Sequence, residues 1–267
     1  MSLAHLFLVA IIQGITEFLP VSSSGHLVLV PILTGYPDQG QVIDVAVHMG
    51  TLMAVVIFFW SDVKMGLMGT PRMLTGRIDT AGAKLAFLLM VATIPAVLFG
   101  LMLKLTGLDD AMRSVKVIGW TMLIFGIVLY VVDQRGGHSK KADDWSLRDA
   151  LILGVWQAVA LIPGSSRSGT TISGARALGY NRTDSAKISM LMSIPVIFAS
   201  GVLLGSEVVA TANAQAARDG AIAAGFSFVS ALLALSLMMR LLRSVSFTPY
   251  VIYRIILGLA LLGIAYS

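Results

Sequence analysis

Cysteine is absent from this chain, which excludes disulfides and thiolate chemistry and leaves the redox compartment open. Charge is sparse as well: Asp, Glu, Lys and Arg make up 12% of the residues and fall mainly between apolar runs. The start lacks a basic stretch followed by a short apolar core and a small-residue cleavage site. Residues 1–19 therefore read as part of the mature fold rather than as a removable leader. Acids are rarest where polarity is richest. Glu17 is the only one within the polar segments 13–26 and 163–171, so a dedicated all-protein metal cage is not expected. The net charge of +5 does not point to nucleic acid, because the basic residues sit in short loops, the pattern of the positive-inside bias.

What the chain has in abundance is apolar sequence. It is 57% hydrophobic over 267 residues, with repeated runs of the length a helix needs to cross a bilayer. Crossings are expected at 42–60, 84–103, 115–133, 188–205, 220–239 and 248–266. Segments 3–34 and 148–178 differ: each is broken midway by Pro, Gly and serines, so each reads as two half-helices that re-enter on the side they came from. Unwound backbone at that depth is tolerated only inside protein or beside a watery cavity. Of nineteen Lys and Arg, thirteen fall in the loops at 61–84, 134–148, 176–187 and 240–247. Four fall in the opposite set, which includes Arg113. The first set is expected in the cytoplasm and both termini outside.

A repeat follows from this map, because each broken segment precedes three crossings. Phe18–Gly25 is similar to Leu161–Gly169, and Thr93–Gly100 to Ser193–Ser200. The prolines are 143 residues apart in the first pair and 100 in the second, so the first half carries extra residues, and loop 61–84 is the expected place for much of them. Three crossings invert the second half. The expected fold is an all-α multi-pass membrane protein, one domain over 1–267. It has an inverted-topology repeat (1–135 and 146–267), six transmembrane helices and two re-entrant helical hairpins.

The polar segments hold the candidate chemistry. Gln13 and Glu17, four apart, share a helix face, and an acid at membrane depth points to function. Ser22, Ser23, Ser24 and Gly25 form a turn that opens a half-helix, an anion site by its backbone donors, with His26 beside it as a proton carrier. Among the other histidines, His5 is terminal, His138 lies in a charged loop and His48 reads as a satisfied interior residue on a crossing. Arg167 costs on the order of 3 kcal/mol at the bilayer centre, so Glu17 or an anionic ligand must compensate it. Ser165, Ser166, Ser168, Thr170 and Thr171 surround it, with Gly164 and Gly169, and this density of hydroxyls favours phosphate. The run lacks the Gly-Lys-Ser/Thr of a Walker loop. Arg254, near Tyr250 and Tyr253, reads as snorkelling or stacking. The methionines and Trp60, Trp120, Trp145 and Trp156 read as core filling and interfacial anchors.

Gln13-x-x-x-Glu17 followed by Phe-Leu-Pro-Val-Ser-Ser-Ser-Gly-His26, together with Pro163-Gly-Ser-Ser-Arg-Ser-Gly-Thr-Thr171, resembles the undecaprenyl-diphosphatase, or bacitracin-resistance protein, family. The match continues through Ser246–Arg254 and so covers nearly the whole chain. Many members have Glu where this chain has Gln13, which makes Gln13 a poor candidate for the essential acid. Lipid phosphatases with a later Ser-Arg motif match less well, because they need a second histidine after the arginine. The resemblance implies hydrolysis of undecaprenyl diphosphate at the outer face of a bacterial cytoplasmic membrane, with Mg²⁺ or Ca²⁺ carried mainly by the substrate phosphates and touching Glu17.

In the expected site Arg167, Gln13, Ser24, Gly25, Gly164, Ser165, Ser168, Thr170 and Thr171 hold the diphosphate. Glu17 orients His26 or the cation, and His26 activates water or one of Ser22, Ser23 and Ser166. The expected partners are a polyprenyl diphosphate and membrane lipids, a homodimer is compatible with the sequence, and nucleic acid is not expected. A transporter or flippase for a phosphorylated lipid or anion is the rival, since paired broken helices in an inverted repeat are a transporter architecture.

Overall fold

In hydrocarbon every backbone N–H and C=O must find its partner within its own segment, so apolar runs of this length become helices. The computed structural model bears this out. It describes all residues except 109–111, 113, 138, 212 and 213, and leaves out the side chains of 203–211; Arg113 and His138 thus lie outside the described residues. The described elements are helical: α1 (Leu3–Thr16), α2 (Ser23–Leu27), α3 (Leu29–Thr34), α4 (Gly40–Phe58), α5 (Trp60–Leu74), α6 (Ala81–Thr106), α7 (Val115–Arg135), α8 (Leu147–Val159), α9 (Arg167–Ala177), α10 (Arg182–Thr211), α11 (Ala214–Leu241) and α12 (Thr248–Tyr266). Six of them, α4, α6, α7, α10, α11 and α12, are long and apolar enough to cross a membrane, at the positions the sequence implies. Segment 3–34 breaks into α1, a turn, α2 and α3, and segment 148–178 into α8, a turn and α9.

Two expectations need correction. The stretch 61–84 is not simply a loop: most of it is α5, which folds back on α6 with Gly69 and Gly82 in backbone contact across the pair. Arg72 closes the connecting turn on Asp79 through two hydrogen bonds of 2.9 and 2.6 Å. Pro95 and Pro195 are also not equivalent. Pro95 lies on the second long helix after its broken segment and Pro195 on the first, so their likeness is that of two proline-containing apolar helices.

With lipid as solvent, helices associate through close packing of small residues and interhelical hydrogen bonds. The centre of the bundle follows that rule. α11 is gripped between α1 and α4, where Gly14 faces Ser227, Ser230 and Ala231, and Gly50 faces Ala224 and Phe228. Ser227 and Ser230 donate to the carbonyls of Val47 and Ala10. At one end of the molecule the four basic loops come together: buried Asp133 accepts from Arg176 and Arg182, both at 2.9 Å, and from the Phe247 N–H, while Lys187 pairs with Asp62. At the other end the chain's amino group meets Asp219 at 2.7 Å.

A Cβ at position 14 presses on the backbone of Ser227 and Ala231, whereas one at Gly225 of α11 meets nothing within 4 Å. Thermal unfolding in detergent is therefore expected to show Gly14→Ala destabilised by about 1–3 kcal/mol through overpacking. Gly225→Ala is expected to match or slightly exceed the parent through better helix propensity.

Candidate active site

Each broken segment turns on a serine with positive φ, Ser22 at 71° and Ser166 at 69°, a region that costs a residue with a Cβ energy. The compensation is the same in both. Ser22 Oγ accepts from the Gly25 N–H and lies 3.1 Å from Ser24 Oγ, while Ser166 Oγ accepts from the Gly169 N–H and lies 3.1 Å from Ser168 Oγ. The correspondence is a constant offset of 144 residues. It also pairs Ser2 with Ser146, the N-caps of α1 and α8, and Gln13 with Gln157.

The two turns are clasped together. Ser168 donates to the Leu19 carbonyl at 2.9 Å, and the Gly164 N–H reaches Ser24 Oγ at 3.4 Å. Thr121 of α7 donates to the Pro163 carbonyl at 2.6 Å, and Gly164, at φ 85°, sits against the α7 backbone, where no Cβ fits. Arg254 of α12 completes the clasp: it is fully buried and donates to the carbonyls of Pro20, Gly164 and Ser165 at 3.4, 3.2 and 2.8 Å. The expected snorkelling or stacking is thus replaced by a cation that satisfies carbonyls of both turns. Proline supplies no N–H, and the broken helices leave these carbonyls without intrahelical partners.

Within the clasp, Arg167 Nη2 donates to Glu17 Oε1 at 2.8 Å. Oε2 of the same carboxylate accepts from Gln13 Nε2 at 2.8 Å and from the Ser23 hydroxyl at 2.9 Å. Glu17 is buried and the Arg167 side chain 14% exposed, with its guanidinium over the Phe18 ring. This cluster forms part of the wall of a cavity of about 580 Å³, which also includes Ser22, Ser24, Ser166, Asp38, Asp44 and His48.

The expected residues divide accordingly. Gln13, Glu17, Ser22, Ser23, Ser24, Ser166 and Arg167 line the cavity. The hydroxyls of Ser165, Ser168, Thr170 and Thr171 are turned onto backbone carbonyls, so they hold the second turn in shape; Gly25 and Gly164 are backbone positions of the turns. His26 is not brought to Glu17. Its Nδ1 meets the Ser22 carbonyl at 2.7 Å and its Nε2 the Tyr253 hydroxyl at 2.6 Å, the two rings stacked. The histidine near the carboxylate is His48, whose Nε2 lies 3.9 Å from Glu17 Oε2 and whose Nδ1 is bound to the Asp44 carbonyl. The spacing of Asp44 and His48, four apart on an apolar crossing, was the signal that could have found it.

Arg254→Ala leaves the buried carbonyls of Pro20 and Gly164 without a donor, each costing about 1–3 kcal/mol, while the Ser165 carbonyl keeps the Thr170 hydroxyl at 3.2 Å. The expected outcome in detergent is a melting point lower by several degrees, together with loss of whatever activity the cavity supports. Arg254→Lys, which reaches fewer carbonyls, is expected to fall between the two.

The chain is similar to known proteins over its whole length. Residues 6–260 match the family model described as bacitracin resistance protein BacA. The chain is 74% identical to an undecaprenyl-diphosphatase of Ruegeria pomeroyi and 68% identical to one of Jannaschia sp., over the full length of both partners in each case. It is 43% identical to undecaprenyl-diphosphatase 1 of Rhodospirillum rubrum, over all of this chain and 96% of the relative. The paired serine turns and the cavity between them are thus those of a chain that belongs to the bacitracin resistance protein BacA family.

Proposed function

We propose that this chain is an integral membrane phosphatase that hydrolyses undecaprenyl diphosphate to undecaprenyl phosphate and inorganic phosphate, recycling the lipid carrier of cell-wall synthesis. Full-length relatives carry that activity in their names. The observation that carries the reading is the Ser23 hydroxyl held on Glu17, beside Arg167, in the cavity wall.

Ser22 and Ser166 have their oxygens committed to helix caps, so Ser23 is the serine with an acid to take its proton. In this mechanism Ser23 Oγ attacks the terminal phosphorus while its proton passes to Glu17 Oε2. The bridging oxygen leaves with the lipid monophosphate, and Arg167 and the N-terminus of α9 balance charge on the transferred oxygens. Water then cleaves the phosphoserine and its proton restores the serine. With a fully ionised substrate the two products carry one more negative charge between them than the diphosphate, so one proton must leave. His48 is the outlet in this reading: it is near Glu17, and its side chain is 37% exposed. His26 supports the loop by holding the Ser22 carbonyl against Tyr253.

Glu17 fits poorly as a ligand for Mg²⁺ or Ca²⁺, because one of its oxygens is taken by Arg167 and the other by Gln13 and Ser23. Among the described residues no three His, Cys, Asp or Glu cluster as a cage. A cation is proposed to travel on the diphosphate, and no step is assigned to it here.

The proposal includes an inverted repeat with re-entrant hairpins, in a bacterial cytoplasmic membrane. The constant offset of 144 supports it, and so does the packing, in which α1 lies on α11 while α8 lies on α6, its counterpart in the other half. The cavity then opens to the outer face with both termini outside. Support comes from the basic loops gathered at one end and from Asp38, Asp44 and the amino terminus in the other half.

Purified protein given diphosphate labelled on its terminal phosphate is expected to release phosphate and, on rapid quenching, to carry label on Ser23. Ser23→Ala is expected to lose at least about 10³-fold in kcat. Binding without release by the parent protein would favour the transport reading instead, and full turnover by Ser23→Ala would remove the serine from the mechanism.

A further inference from the structure

A second cavity, of about 790 Å³ and almost wholly apolar, lies between α4, α5, α6 and α10. It begins about one turn further along α4 than the first. Along α4, Val45, His48 and Met49 line the polar cavity and Leu52 and Val56 the apolar one, spacings of three and four that form one stripe. Along α10, Gly201 and Ile197 line the first, and Phe198, Ile194 and Leu191 the second. The two cavities share no lining residue and adjoin across the seam between α4 and α10, where the Met49 side chain lies against Gly201.

The groove exists because the two halves differ. α11 closes on α4 in backbone contact at Gly50. The corresponding pair, α6 and α10, packs less closely, and α5, present in the first half alone among the described elements, walls the space beside it with Trp60, Val63 and Leu67. From Leu98 to Leu85 along α6 the groove is about 20 Å long at 1.5 Å per residue.

We infer that this groove holds the isoprenoid tail of the substrate, making the α5 insertion a device for selecting long-chain lipid diphosphates. The inference rests on the diphosphatase reading. A diphosphate seated at Arg167 must send its tail out of the polar cavity, and the neighbouring apolar groove lies one turn away along α4, past the flexible Met49 side chain. Val97, Leu98 and Phe198 lie near the junction, while Leu85, Ala86 and Met73 lie at the far end. A three-unit farnesyl tail is short enough to occupy the near part, and an eleven-unit undecaprenyl tail overruns the whole groove.

The test compares phosphate release from undecaprenyl and farnesyl diphosphate in detergent. Ala86→Trp, at the far end, is expected to lower the ratio of kcat/KM for the long over the short substrate about tenfold, roughly the weight of one to two buried methylenes. The loss is expected in KM, with kcat kept. Val97→Trp, at the junction, is expected to raise KM for both substrates. Leu233→Trp, exposed on α11 away from the groove, serves as the control and is expected to match the parent. Farnesyl diphosphate with a photoreactive group at the tail end, short enough to end inside the groove, is expected to label its walls on α5, α6 or α10 of the unaltered protein. An unchanged ratio in Ala86→Trp, or label on α7, α11 or α12 instead, assigns the groove to bulk lipid or a second copy and overturns the inference. No phosphate release from either substrate by the parent protein overturns the diphosphatase reading itself.

Discussion

A carboxylate and a guanidinium paired at 2.8 Å inside the helical bundle, Glu17 and Arg167, come from positions 150 residues apart, and neither is tolerable there alone. Removing one partner of such a pair costs about 3–5 kcal/mol, because the other charge is left unpaired in a poor solvent. The two broken segments must therefore meet. Meeting requires backbone without helical hydrogen bonds, and that backbone must be satisfied by other means. The positive-φ serines, the Ser168–Leu19 and Thr121–Pro163 bonds and the buried Arg254 are those means. Polarity in the clasp is mostly structural, and what is left over faces the cavity as Gln13, Glu17, Ser23 and Arg167.

The chemistry is asymmetric although the turns are alike. At the offset of 144, Ser23 corresponds to Arg167 and Glu17 to Leu161. One segment supplies the carboxylate and the hydroxyl held on it, which the proposed mechanism makes the nucleophile, and the other supplies the guanidinium paired with that carboxylate. The surroundings of the two turns differ as well, since α5 walls an apolar groove beside α6 and α10 while α11 packs on α4 in backbone contact.

The crossings were legible because hydropathy over a membrane-length window is a strong, local signal, and the broken segments because Pro, Gly and serine interrupt it. The pairing of Arg167 with Glu17 was one of two stated options, since a buried charge demands a partner wherever it lies. Other features were hidden for physical reasons. Arg254 looked like a peripheral residue because sequence does not say which carbonyls stand opposite a helix face. His48 looked like filler because a single histidine on an apolar run carries no sign of its neighbours. His26 drew the base role by proximity along the chain, yet a five-residue helix turns it toward Tyr253. The hydroxyls after Pro163 were read as phosphate ligands because composition cannot separate a side chain that binds a ligand from one that ties its own backbone.

The most direct test of the claim that both segments build one site is a double-mutant cycle on phosphate release with Glu17→Gln and Arg167→Met. If the two act as a unit, each single change removes most of the rate and the double change costs little more, a strongly non-additive result. Independent losses that multiply in the double variant would mean that the carboxylate and the guanidinium serve separate sites, and would contradict the account.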